Sequence, residues 1–230
     1  MGDLWPVISI NRRDEKMENK KERILSCVDC GKISCGRMSE DYPQFCLTKG
    51  MSKEERAEIM PAYEEEEANK IMMAAAQVEY ECYGKMNRVK ETMEFARKIG
   101  AKKLGIAVCS GLYREGQILA DILRSNGFEV YGAICKVGAV KKTDIGIPEE
   151  CEKTGKTMCN PIMQAKILNR EKTDLNILVG LCVGHDSLFY RNSEAPVTTL
   201  VVKDRVMGHN PVNALYTSKV YGRDLYGDNK

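Results

Sequence analysis

The sequence predicts an α/β fold: a mostly parallel open sheet with helices on both faces, preceded by a small cysteine-rich knuckle and a long helical segment. Three observations lead there. From residue 104 onward, short apolar runs alternate with helical patterns. Those runs are apolar on successive residues, as strands covered on both faces are. Ahead of them, Cys27, Cys30, Cys35 and Cys46 gather among glycine, serine, aspartate and proline, a composition suited to a turn-rich knuckle and not to a packed helix.

Taken in order, residues 1–24 read as an N-terminal extension, residues 25–50 as the knuckle, residues 51–103 as a helical segment packing on the sheet, and residues 104–230 as the α/β core. Within the extension, residues 12–23 alternate in charge and suit a solvated connector or a helix surface. Ser52 with Glu55 forms a capping-box signature, and Pro61 interrupts or restarts the helix it opens. Ala68, Ile71, Ala75, Val78, Cys82, Met86, Val89, Met93 and Ala96 then recur every three or four residues, one apolar stripe crossed by Gly84. Cys82 lies on that stripe and reads as packing.

Strands are expected at Leu104–Cys109, Phe128–Cys135, Leu175–Cys182 and Val197–Val202, with helices at Leu112–Ser125 and Pro161–Asn169. In an open parallel sheet the carboxyl ends of all strands share one edge, where sites form. Cys109, Cys135 and Cys182 each end a predicted strand, so three thiols distant in sequence are expected at that edge. Cys159, just before a predicted helix, is the candidate fourth ligand, with Cys151 its substitute. His185 and Asp186 follow in the next loop as candidate acid–base or metal-supporting groups. After the fourth strand, Lys203 and Arg205 could hold an anion and His209 could carry a proton; a salt-bridged loop is the competing reading. For the edge cysteines the competing reading is a buried small hydrophobe.

The knuckle spacing, two, four and ten intervening residues, can close a tetrahedral thiolate shell around zinc or an iron–sulfur cluster. A thioredoxin-like Cys-x-x-Cys pair is the alternative, but no strand precedes it and two further cysteines stand nearby.

Ten cysteines in 230 residues favour cytoplasmic metal or redox chemistry over a disulfide scaffold, because so long a chain needs no staples. The first apolar run, Leu4–Ile10, is short and holds Pro6, so no export signal is expected, nor is a bilayer span. A net charge of +2 without a basic aromatic stripe argues against nucleic acid. Gly155-Lys156-Thr157 lacks the upstream glycine of a phosphate loop. Residues 110–116 lack the dinucleotide fingerprint, and neither a zinc-protease helix motif nor a nucleophile elbow is present.

Cys27-Val-Asp-Cys30 with Cys35 and Cys46, Met158-Cys159-Asn160-Pro161-Ile162, Gly180-Leu-Cys182-Val-Gly-His185-Asp186, Ala195-Pro-Val-Thr-Thr-Leu, Val202-Lys-Asp-Arg205 and Gly208-His209-Asn210-Pro211 resemble the cysteine-rich metal-binding family termed domain of unknown function 1847. The resemblance spans residues 25–222 and implies metal binding. The expected function is a metal-binding protein with a structural thiolate site and a second zinc or iron–sulfur site at the sheet edge, supporting redox or metal-assisted chemistry. Its expected partners are a small anionic ligand or a redox partner protein. The alternatives are a non-enzymatic metal sensor or trafficking protein, or an interaction scaffold with only the knuckle metallated.

Overall fold

The structure, a computed structural model, describes residues 23–227. The expected extension lies outside the described residues up to position 22, and with it the Leu4–Ile10 run. The chain divides into two units, Met1–Glu65 and Glu66–Lys230. The boundary falls inside the 51–103 segment, so residues 51–65 belong with the knuckle.

In the first unit, tight turns at Cys27–Asp29 and Ser34–Arg37 are followed by three short helices, α1 (Leu47–Gly50), α2 (Lys53–Glu58) and α3 (Met60–Glu64). The capping box forms: the Glu55 N–H donates to Ser52 Oγ at 3.0 Å, and the Ser52 N–H to Glu55 Oε2 at 2.7 Å. Pro61 lies in the first turn of α3, where its missing N–H costs nothing. Among the described residues of this unit only Ser34 is buried.

The second unit begins with α4 (Glu66–Cys82) and α5 (Arg88–Lys98). The apolar stripe is therefore carried by two helices. Gly84 takes a left-handed φ of 66° between them, and Asn87 caps α5 by accepting from the Lys90 N–H at 3.1 Å. The rest alternates: β1 (Lys103–Val108), α6 (Tyr113–Ser125), β2 (Glu129–Ile134), α7 (Pro161–Arg170), β3 (Leu175–Val179), α8 (His185–Asn192), β4 (Val197–Val201) and α9 (Val212–Tyr216). The four strands form one all-parallel sheet in the order β2-β1-β3-β4.

Period-two alternation sorts the strand residues between two apolar layers. Leu104, Ile106 and Val108 of β1, with Leu175, Ile177 and Val179 of β3, pack against Ala74, Met93 and Ala96 of α4 and α5 and against Leu119 and Leu123 of α6. On the other face Ala107, Ala133 and Leu178 meet Ala165 and Leu168 of α7 and Phe189 of α8. The helices thus cover both faces, as the apolar runs require. Gly105 is on this second face, where a Cβ would lie 2.0 Å from Asn176 Oδ1.

β3 is shorter than the sequence suggests. It stops at Val179 because Gly180 turns left-handed (φ 66°), and a Cβ there would lie 2.0 Å from Leu112 Cδ1. Cys182 consequently lies in the loop beyond β3, not at the end of the strand. β1 and β2 each stop one residue before their cysteine.

Candidate functional site

The β1–β2 register explains the first sulfur pair. Lys103 opposes Glu129 and Val108 opposes Ile134, so the next residues along, Cys109 and Cys135, are neighbours on adjacent strands. The ladder continues to them through the Cys135 N–H, which donates to the Val108 carbonyl at 2.9 Å. Both belong to the layer facing α7 and α8, and both are buried. Cys159 is brought in from the crossover by its neighbour: the Asn160 N–H donates to the Cys135 carbonyl at 2.7 Å, and the Asn160 side chain caps α7 at Met163. Cys182 marks the entry of α8, its carbonyl accepting from the N–H groups of His185 (2.9 Å) and Asp186 (3.2 Å).

The sulfurs are not independent. The Cys135 thiol, hydrogen-bonded to Cys109, is the main reason the Cys109 thiol is pushed up to about 12, and burial adds to the effect. The same Cys135 thiol is the main reason Cys159 is drawn down to about 6, against burial and with help from the Lys136 charge. Cys135 therefore sits between a thiol that holds its proton and a thiol that gives it up readily. It also accepts from the Ser110 N–H at 3.3 Å. Cys182 is close enough for its charge to act on Cys159.

Cations answer these sulfurs. Lys136 Nζ donates to Cys159 Sγ at 3.4 Å and to the Thr157 carbonyl at 2.7 Å. Arg205 Nη2 donates to Cys182 Sγ at 3.1 Å, and the contact pushes the guanidinium pKa up. His185, half-buried at the start of α8, is pushed down by burial and by Lys136, while Asp186 and Cys109 pull the other way. The imidazole thus stays neutral further into acid than a solvated one. Asp186 Oδ1 accepts from the Ser187 N–H at 2.8 Å.

Beneath the sulfurs, fully buried Gln164 of α7 donates through Nε2 to the Val108 carbonyl (3.2 Å) and the Ala133 carbonyl (2.7 Å), clamping β1 to β2 just before their cysteines. Its Oε1 has no hydrogen-bond partner among the described residues.

Of the predicted residues, Cys109, Cys135, Cys159, Cys182, His185 and Arg205 share one edge, and Lys203 acts electrostatically on Cys109. Cys151 is exposed and makes no sulfur contact among the described residues, so Cys159 is the crossover thiol that reaches the edge. His209 is held in its own turn: Nδ1 accepts from the Asp204 N–H at 3.1 Å, and its own N–H donates to the Asp204 carbonyl at 2.7 Å. Cys82 is buried on α4. Sequence reasoning missed Lys136, Ser110 and Gln164. The first two directly follow Cys135 and Cys109, one residue beyond the expected strand ends, and adjacency to those cysteines is the signal that points to them.

In the knuckle, Cys30 closes the first turn through its N–H to the Cys27 carbonyl at 3.2 Å. Backbone N–H groups of Ile33 and Lys32 pull its thiol pKa down. Cys35 lies in the second turn, which Ser34 fastens by donating its hydroxyl to the Asp41 carbonyl at 2.6 Å, and Cys46 precedes α1. Among the described residues, no three His, Cys, Asp or Glu side chains are gathered as a metal shell, here or at the sheet edge. What fits a soft metal is the donor chemistry: thiols ready to ionise, backbone N–H groups aimed at sulfur, and cations beside it.

Two concavities of about 430 Å³ lie elsewhere, one between α6 and β2, the other between α4, α5 and β4. Neither includes a cysteine, whereas the sheet edge gathers the thiols with perturbed pKa values.

Fold and site together define a parallel α/β protein with a cysteine-rich carboxyl edge. The chain belongs to the family described as "Protein of unknown function (DUF1847)", whose model matches residues 46–200. That span takes in Cys46, the four edge cysteines, His185 and Asp186; it excludes Cys27, Cys30, Cys35, Lys203, Arg205 and His209. An uncharacterized protein of Methanocaldococcus jannaschii is 43% identical over 202 residues, covering 87% of this chain and 98% of its own. Among solved structures, the crystal structure of Dph2 from Pyrococcus horikoshii with a 4Fe-4S cluster is similar over 58% of this chain and 33% of that one. Its identity is 20% and its TM-score 0.32.

Proposed function

We propose that the chain is a thiolate metalloprotein with a structural metal in the knuckle and a zinc ion or iron–sulfur cluster at the sheet edge. The observation that carries the edge site is the position of Cys135, beside Cys109 on the adjacent strand and joined through its carbonyl to the Asn160 N–H next to Cys159, with Cys182 in electrostatic reach of Cys159. Two strand ends, a crossover and a loop would have no packing reason to bring sulfur to one edge, whereas a soft metal requires it. Cys109, Cys135, Cys159 and Cys182 would be the ligands. Bound there, a cluster supplies electron transfer and zinc supplies a Lewis acid. Lys136 and Arg205 donate to sulfur and offset its charge, while His185 is placed to hold or move a proton beside the site.

For the knuckle, the support is the lack of a core. Among the described residues Ser34 is its one buried residue, while Val28 and Met38 are each 92% exposed. A segment that buries so little needs another source of folding free energy, and thiolate–metal bonds supply it.

Anaerobic purification followed by elemental analysis and visible absorption tests both sites. Brown protein carrying iron and sulfide supports a cluster, and colourless protein with two zinc ions supports the zinc form. Cys135→Ser should lose one metal equivalent while the knuckle keeps its own. Wild-type protein without metal would sink the proposal, as would a variant that loses none.

A further inference from the structure

We propose that the crevice between the loops following β1 and β3 binds a compact oxyanion, a carboxylate or phosphate, whose charge is met by Lys203. This deepens the metal-site reading by naming a ligand class for the same edge.

The crevice follows from topology. After β1 the chain passes to α6 on one face of the sheet, and after β3 it passes to α8 on the other. Adjacent parallel strands whose connections leave in opposite directions part at their carboxyl ends, and ligands of open α/β sheets bind in that gap. Lys203, two residues past β4, reaches across it. Its Cε lies 3.5 Å from where a Cβ on Gly180 would stand, and its Nζ 3.6 Å from the corresponding point on Gly111. Cys109 Sγ lies 4.0 Å from that same point on Gly111. A lysine following the edge strand β4 therefore delivers its ammonium across β3 to the loop after β1, beside the sulfur site, over two positions without side chains.

Beyond its electrostatic effect on Cys109, that ammonium is uncommitted. Among the described residues it has no hydrogen-bond or ion-pair partner, although the side chain is half-buried. The other two cations of the edge are occupied, Lys136 with Cys159 and the Thr157 carbonyl, and Arg205 with Cys182. The nearby carboxylates are engaged too: Asp204 Oδ1 accepts from the Val206 and Met207 N–H groups, and Asp186 from the Ser187 N–H. Holding a lysine partly out of water with no partner is unfavourable unless an anion joins it. The N-termini of α6 and α8 open on the same edge and add partial positive charge.

Isothermal titration of the purified protein with inorganic phosphate and with acetate, at low ionic strength and against a chloride control, tests the site. Saturable binding of at least one is expected. Lys203→Met should weaken it by about tenfold to a hundredfold, the worth of one charge-assisted hydrogen bond. Lys203→Arg should retain it, and Lys102→Met, at the opposite edge of the sheet, should leave it unchanged. Phosphate and acetate affinities together decide between the two oxyanions. No saturable binding, or equal loss in Lys203→Met and Lys102→Met, overturns the proposal. Metal content measured on the same samples separates the readings: metal-loaded protein without anion binding fails this proposal alone, and anion binding without metal fails the metal reading alone.

Discussion

Metal-free, reduced protein should react through Cys159 in acid where ordinary thiols do not. With its pKa drawn from 9.0 to about 6 by Cys135 and Lys136, Cys159 is roughly 90% thiolate at pH 7, against about 1% for an unperturbed thiol. A more acidic thiolate is also a weaker nucleophile, by about 20-fold over this interval. The two effects leave Cys159 only about fourfold faster at pH 7, but roughly 30-fold faster at pH 5.5. The diagnostic is thus the midpoint of the rate–pH profile, not the neutral rate. Exchange with a small neutral disulfide from pH 5 to 10, read by mass spectrometry on the Cys159 peptide, measures that midpoint. Cys135→Ala removes the largest cause and should raise it most; Lys136→Met should raise it less. A wild-type midpoint near 9, or a larger effect from Lys136→Met, would refute the reasoning.

Gly180→Ala should destabilise the core by about 2–5 kcal/mol in urea unfolding, combining left-handed strain with the clash at Leu112. Gly208→Ala, left-handed at φ 58° with open space around it, should cost only the conformational part, about 1 kcal/mol. Gln164→Met should cost about 1–2 kcal/mol, since two hydrogen bonds are lost but the unpartnered Oε1 goes with them. Gln164→Glu should cost more, increasingly so above the carboxylate range, because it sets a charge against two carbonyls. For His185 the folded pKa lies below the unfolded value, so the unfolded chain takes up the proton first as pH falls and stability is lost toward acid. Unfolding of His185→Gln between pH 7 and 5 should therefore be less acid-sensitive than wild type, and an imidazole NMR midpoint above 6.5 would contradict the direction.

Much of the fold was legible because apolar runs and helical stripes are local signals. The placement of Cys109 and Cys135 at one edge needed only the parallel sheet. Strand order did not show in the sequence, since it is decided by long-range packing of near-identical apolar faces. Cys182 was assigned to the end of its strand, three residues too far, because the left-handed turn at Gly180 depends on Leu112, a residue distant in the chain. Gln164 escaped because a glutamine in a helical pattern reads as surface; its burial comes from two strand carbonyls that only the folded sheet supplies. His209 read as a proton carrier, yet Gly208-His209-Asn210-Pro211 is first a turn, and the imidazole closes it.

The single buried residue of the knuckle, Ser34, has a bearing on the order of assembly. On the proposed metal sites, the polypeptide must finish its strands at the sheet edge before four separated thiols can meet, so loading there would be a late event. In the knuckle the proposed dependence is reversed: ligands close in sequence would capture a metal from the unfolded chain, and structure would follow capture. A cell short of metal would thus produce molecules with an intact sheet, an empty edge and an unfolded amino-terminal unit. Such molecules could be told apart from mature protein by protease cleavage confined to residues before 66.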